Sequence, residues 1–173
     1  MPLIDVIFAE GSLSPEAQRQ LLNTMWSSAL RWEAIEANEV SASIAWAYLD
    51  ERPRHHIGVG PRPMTQNIYR INVRVMAGFM DQERVDGMSR ELTEAVLAAD
   101  GGPGDGTGPR VFCIIEEIPS GLWSIDGKIW TVPFTAQTLG LDKNRVQAME
   151  KATLDSPRIE IQAEALRVKS RSP

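Results

Sequence analysis

The chain repeats itself. At an offset of 67 residues, without gaps, Ile4, Val6 and Phe8 fall on Ile71, Val73 and Val75. Gly11 falls on Gly78, Ser14 on Asp81 and Glu16 on Glu83, while Leu21, Met25 and Ala29 fall on Met88, Leu92 and Val96. Nothing else in the sequence restricts the fold as strongly, because a repeated segment must form the same supersecondary unit twice. Each copy reads as an alternating strand, a glycine turn and a capped helix.

Local signals fill in the units. Ser14 is a favoured N-cap, with Pro15 in the first helical position behind it. Leu21, Leu22, Met25, Ala29 and Leu30 then recur at helical spacing and form one buried stripe. The second helix opens at Asp81 and stops near Ala99-Asp100, where Gly101-Gly102 ends it. A second strand follows each helix, roughly Ser41 to Leu49 and then Arg110 to Glu117; the glycine-rich stretch before the latter reads as a loop. A strand, helix and parallel strand in one sheet require a right-handed crossover. The expected fold is therefore α+β: two pseudo-symmetric β-α-β units forming a four-stranded, mostly parallel sheet, with two helices on one face. The other face needs a cover, and other subunits are the expected one.

Repeat units of about 2–50 and 67–118 sit within one expected domain, 1–173, with a C-terminal extension of about 130–173. Leu122 to Val132 reads as a hairpin turning at Asp126-Gly127. A short helix is expected from Asp142 to Leu154 and a frayed end over Lys169 to Pro173. Pro157 to Val168 is compatible with strand or helix.

Bulk properties remove whole classes of function. A net charge of −5 argues against nucleic acid as a partner. No apolar stretch approaches a membrane span, so a cytoplasmic location is expected. The single cysteine, Cys113, rules out a disulfide framework or zinc cluster within the chain. His55-His56 lacks ligands at metal spacing and reads as a solvated loop.

Chemistry enters at Pro2. If the initiator Met1 is removed, its nitrogen becomes a secondary amine at the mouth of a rigid strand. A free α-amino group titrates at about 8, and burial or nearby cations bring that toward neutrality, where a general base works best. Such a base needs a partner to hold a carboxylate, normally an arginine. Arg74 and Arg70 share one face of the third strand with Asn72, at period-two spacing. The repeat puts them on the face of Leu3, Asp5 and Ile7, so pairing of Asp5 with either arginine is the structural alternative.

Pro2, the duplicated units, and the run Ile114-Ile115-Glu116-Glu117-Ile118-Pro119-Ser120-Gly121-Leu122-Trp123-Ser124-Ile125-Asp126-Gly127 together resemble the tautomerase superfamily. Over about residues 2–130 the arrangement is most similar to the branch containing cis-3-chloroacrylic acid dehalogenase. The resemblance implies an N-terminal proline as catalytic base, no cofactor or metal, a homotrimer of two-unit chains, and Trp123 as an apolar wall of the site. It also marks departures. The histidine that this branch carries late in the first helix is Ala29 here, and its two turn arginines are Met76 and Phe79. Its tyrosine and glutamate fall on Ile114 and Ile125. The expectation is a tautomerase-like enzyme acting on a small keto or enol acid, with Pro2 as base and Arg74, Arg70 and Trp123 binding substrate. The alternatives are a non-catalytic ligand-binding or structural trimer, and a related hydratase or decarboxylase.

Overall fold

Both copies of the repeat fold as β-α-β units in a computed structural model, which describes residues 2–61, 65–102, 104–106 and 108–154, with only the backbone of 152–154. The readings for 157–168 and 169–173 lie outside the described residues. By contact density the chain divides into two compact units: Met1–Val75 with Met80–Glu117, and Met76–Phe79 with Ile118–Pro173.

The first unit holds the sheet. Strand β1 (Leu3–Ala9) leads into α1 (Pro15–Trp32), and β2 (Trp46–Arg52) follows. Strand β3 (Tyr69–Met76) leads into α3 (Gln82–Asp100), and β4 (Val111–Ile118) follows; between α1 and β2 lies a short helix, α2 (Glu39–Ser43). The strand order is β2-β1-β3-β4. Within the first repeat β1 runs parallel to β2. Where the repeats meet, β1 and β3 are antiparallel. The sheet is therefore mixed: a crossover helix makes the strands of one repeat parallel, and a pseudo-two-fold relation between repeats makes the central pair antiparallel.

The capping chemistry is as the sequence dictates. The Ser14 hydroxyl accepts from the Ala17 N–H at 3.1 Å, and the Asp81 carboxylate accepts from the Arg84 N–H at 2.9 Å. Gly101 ends α3 with a φ of 66°, in the left-handed region that glycine enters without steric cost. Both helices lie on one face of the sheet. Phe8, Ile71, Met25 and Leu92 are among the side chains of one buried cluster drawn from β1, β3, α1 and α3.

One boundary needs correction. The second strand begins at Trp46 rather than near Ser41, because Asn38 and Ser41 form a capping box: the Ser41 N–H donates to the Asn38 side chain at 3.0 Å, and the Asn38 N–H to the Ser41 hydroxyl at 2.9 Å. That reciprocal pair turns Glu39–Ser43 into helix. The short 3-10 turn Arg54–His56 holds the two histidines, both exposed.

The second unit contains a hairpin, β5 (Trp123–Ile125) with β6 (Lys128–Trp130). Asp126 and Gly127 both have positive φ at its turn. Helix α4 (Val132–Leu139) follows and was not foreseen; Thr131 caps it and Pro133 stands in its first turn. Helix α5 (Lys143–Leu154) opens where Asp142 accepts from the Arg145 N–H at 3.0 Å. Within this unit a side chain on Gly78 would strike the Met149 backbone. The repeat's second turn glycine thus serves close approach as well as a positive φ.

Candidate active site

Pro2 stands directly before β1 and is buried. Its carbonyl accepts from the Trp46 N–H at 3.1 Å, which ties the start of β1 to the start of β2. Sheet register then decides which side chains can reach it. Leu3 pairs with Trp46 on one side and with Arg74 on the other. One row across the sheet therefore runs Trp46, Leu3, Arg74, a single residue from Pro2.

Arg70 lies elsewhere. It pairs with Ile7, four residues farther along β1, or about 13 Å at strand rise. A single chain brings Arg74 to the Pro2 end and leaves Arg70 at the other. The electrostatics also differ. Arg74 donates from Nη1 to Asp5 at 2.8 Å, and its Nε lies 3.2 Å from Glu116. Of the two pairings read from the sequence, Asp5 with Arg74 is the one formed. A guanidinium carries five N–H donors, so these two carboxylates leave capacity for a third. Arg70 is exposed and forms no ion pair among the described residues.

The structure adds a residue that the sequence reading overlooked. Glu33, the C-cap of α1, has an exposure of 0%. Because α1 is the crossover between parallel strands, it runs back along the sheet and ends where β1 and β2 begin. Glu33 therefore lies at the Pro2 end. The repeat offset carries Glu33 onto Asp100 and Pro2 onto Tyr69. In that second pair the Tyr69 phenol donates to Asp100 at 2.6 Å. Extending the offset by four residues past Ala29 would have found it.

Trp123 belongs to the second unit, where it pairs with Trp130 across the hairpin and is half-buried. Cys113 is partly buried in β4, and burial pushes its thiol up. Among the described residues no three His, Cys, Asp or Glu side chains gather as metal ligands. No described helix is long and apolar enough to cross a membrane.

The face of the sheet away from the helices is open and rich in apolar surface. Phe112 is 67% exposed, Trp46 54% and Tyr48 47%, with the Trp46 and Tyr48 rings edge to face at 6.4 Å. Trp46 and Tyr48 lie on one edge strand and Phe112 on the other, so exposed apolar surface borders the sheet at both edges, and such surface suits an interaction.

No protein-family model and no curated protein matches the sequence. Solved structures do. A fused 4-OT, described as a wild-type symmetric trimer, shares 19% identity at a TM-score of 0.60, over 73% of this chain and 94% of its own. A macrophage migration inhibitory factor-like protein from Entamoeba histolytica shares 11% identity at a TM-score of 0.57, over 75% of this chain and 98% of its own. FG41 malonate semialdehyde decarboxylase, inhibited by 3-bromopropiolate, shares 22% identity at a TM-score of 0.53, over 71% and 88% of the two chains. This chain shares the fold of these proteins.

Proposed function

We propose that the protein is a cofactor-independent tautomerase-like enzyme that moves a proton within a small keto or enol carboxylate, using Pro2 as its base once Met1 is removed. The observation that carries this reading is the register: a buried proline at the head of β1, one residue from the row that holds Arg74. The secondary amine takes the hydroxyl proton of the enol. The resulting prolinium returns a proton to the neighbouring carbon, so the net change is one proton moved from oxygen to carbon. Arg74 binds the substrate carboxylate with the donors that Asp5 and Glu116 leave. Glu33 pairs with the prolinium, holding the ring in place and favouring its charged form.

The working form is a homotrimer in which the open sheet faces cover one another. The exposed Trp46, Tyr48 and Phe112 support this, as does the trimeric relative of the same fold. Arg70, distant from Pro2 within one chain, serves the site only if a neighbouring copy presents it. Removal of Pro2's base should be the most damaging single change to activity. Ketonisation of an aryl pyruvate enol should fall at least about 100-fold in kcat/KM in Pro2→Ala, in line with the usual worth of a general base. Intact mass is the accompanying check, since a mass short by one methionine is required. Equal rates in the two proteins would discard the enzyme reading in favour of a ligand-binding trimer, which the occupied state of Arg74 favours.

A further inference from the structure

Arg74 is held from two sides. Its Nη1 donates to the Asp5 carboxylate at 2.8 Å, and its Nε lies 3.2 Å from a Glu116 oxygen. Strand pairing explains both contacts. Leu3 stands opposite Arg74 and Asp5 opposite Asn72, so β1 sets Asp5 diagonally against the guanidinium. Strand β4, on the other side of β3, brings Glu116. One guanidinium between two carboxylates gives this cluster a formal charge of −1.

The geometry also limits how Arg74 can bind. A guanidinium offers a carboxylate two edges, Nε with Nη2 and Nη1 with Nη2, and holds it best when both nitrogens of one edge donate. Asp5 takes one end of the second edge, and Glu116 stands at one end of the first. Nη2 is the nitrogen engaged by neither acid. A carboxylate arriving at Arg74 therefore meets one open nitrogen and two negative neighbours. The attraction of the adjacent guanidinium suffices for one carboxylate. A second on the same small molecule adds repulsion from Asp5 and Glu116 with no cation to answer it. The row Trp46, Leu3, Arg74 supplies no other positive charge, and Arg70 stands four residues back along β3, about 13 Å away at strand rise.

Resting on Pro2 as the base and Arg74 as the carboxylate ligand, we propose that Asp5 and Glu116 set the substrate class of that site: compact enol acids with a single carboxylate are accepted, and dicarboxylates are turned away. Selection of this kind works by repulsion of the wrong substrate rather than by added affinity for the right one. Both acids touch Arg74 and not the reacting atoms, so they are positioning residues. Cover of the sheet by a neighbouring copy strengthens their effect, because charges interact more strongly where water is excluded.

Two enols of nearly equal size make the test. The enol of oxaloacetate carries two carboxylates, and the enol of the amide made from its distal carboxylate carries one. Both ketonise by the same transfer of one proton from the enol hydroxyl to the neighbouring carbon. The unaltered protein should turn over the amide with a kcat/KM at least about tenfold higher, since like charges brought together are costly. That ratio should shrink between about 20 mM and about 500 mM KCl as salt screens the repulsion. Glu116→Gln and Asp5→Asn should each narrow the ratio at least about threefold, chiefly through KM for the dicarboxylate. A ratio measured within one protein does not depend on how much of it is folded, so lost stability alone would leave it unmoved. Pro2→Ala distinguishes the two ways of failing. Activity equal to that of the parent protein would remove the base, and this inference with it. Activity that needs Pro2 but treats the two enols alike, as expected if a neighbouring copy presents Arg70 here, would overturn this inference alone. So would a ratio unmoved by salt and by both substitutions, or turnover of neither enol by a protein that ketonises an aryl pyruvate enol through Pro2.

Discussion

The Pro2 end and the Tyr69 end of the sheet are the same position in two copies of one motif, yet they are built from different residues. At the Tyr69 end, Asp100 takes hydrogen bonds from Tyr69, Asn67 and Arg110. Burial alone would raise its carboxyl, but those bonds and the Arg110 charge outweigh burial and hold it below the usual carboxylate range. The network joins the end of α3 to the starts of β3 and β4. At the Pro2 end, a buried acid again closes the helix, but the residue it is paired with by the repeat is a proline. A scaffold position that locks one repeat together is thereby available in the other to hold an amine. Under the proposed function, a duplicated motif lets one copy carry stability while the other carries a reactive group.

The largest expected effect tests the stabilising half of that contrast. Asp100→Ala leaves the largely buried Arg110 with only the Asn67 and Gly102 carbonyls and no counter-charge, and breaking a buried pair in this way costs about 3–5 kcal/mol. Urea unfolding should report it, with little change in kcat of whatever protein remains folded. The same group predicts a pH dependence. Its folded pKa lies below its unfolded value of about 3.9. The contribution is therefore complete above that value and is lost as pH falls through the folded one. Asp100→Asn should show a flatter acid limb in thermal melts below about pH 4 than the parent protein does.

Glu33→Gln tests the other half. We expect a loss of about 10–100-fold in kcat/KM with the enol substrate. The acid limb of the rate profile should move to lower pH, because losing a negative neighbour makes the prolinium easier to deprotonate. An unmoved profile would reduce Glu33 to a packing role and dissolve the contrast. Gly87→Ala is next in size. A side chain there would fall inside the Trp32 indole, so the cost should be about 1–3 kcal/mol of overpacking. Because Trp32 precedes Glu33, activity should fall along with the melting temperature. Tyr69→Phe should be the mildest, about 1.5 kcal/mol for one hydrogen bond to a charged acceptor. It should have no effect on turnover if the Tyr69 end is without chemistry.

How much of this was legible in the residues varies by element. The offset between Ile4-Val6-Phe8 and Ile71-Val73-Val75 identified both inner strands, and all six side chains are fully buried. Ser14, Asp81 and Gly101 marked helix ends that the structure reproduces, because a cap is decided by a few adjacent residues. Helix α2 was misread as strand because the Asn38–Ser41 capping box outweighs the alternation that follows it. Arg74 and, after it, Arg70 were both candidates for a simple reason: spacing along one strand gives the face, whereas nearness to Pro2 depends on register with another strand.

The sequence by itself determined the duplicated β-α-β units, their caps and buried stripes, and the proline at the head of the first strand. Those features follow from period, turn chemistry and propensity, all of which act within about a dozen residues. Only the tertiary structure decided that the repeats meet antiparallel, that Arg74 rather than Arg70 stands beside Pro2 and is held by Asp5 and Glu116, and that Arg52, Arg70 and Arg110 gather in one cavity. Each of these joins residues well separated in sequence, from 18 positions for Arg52 and Arg70 to 72 for Pro2 and Arg74, and such pairings are fixed by which buried faces fit together, a condition that no local pattern records.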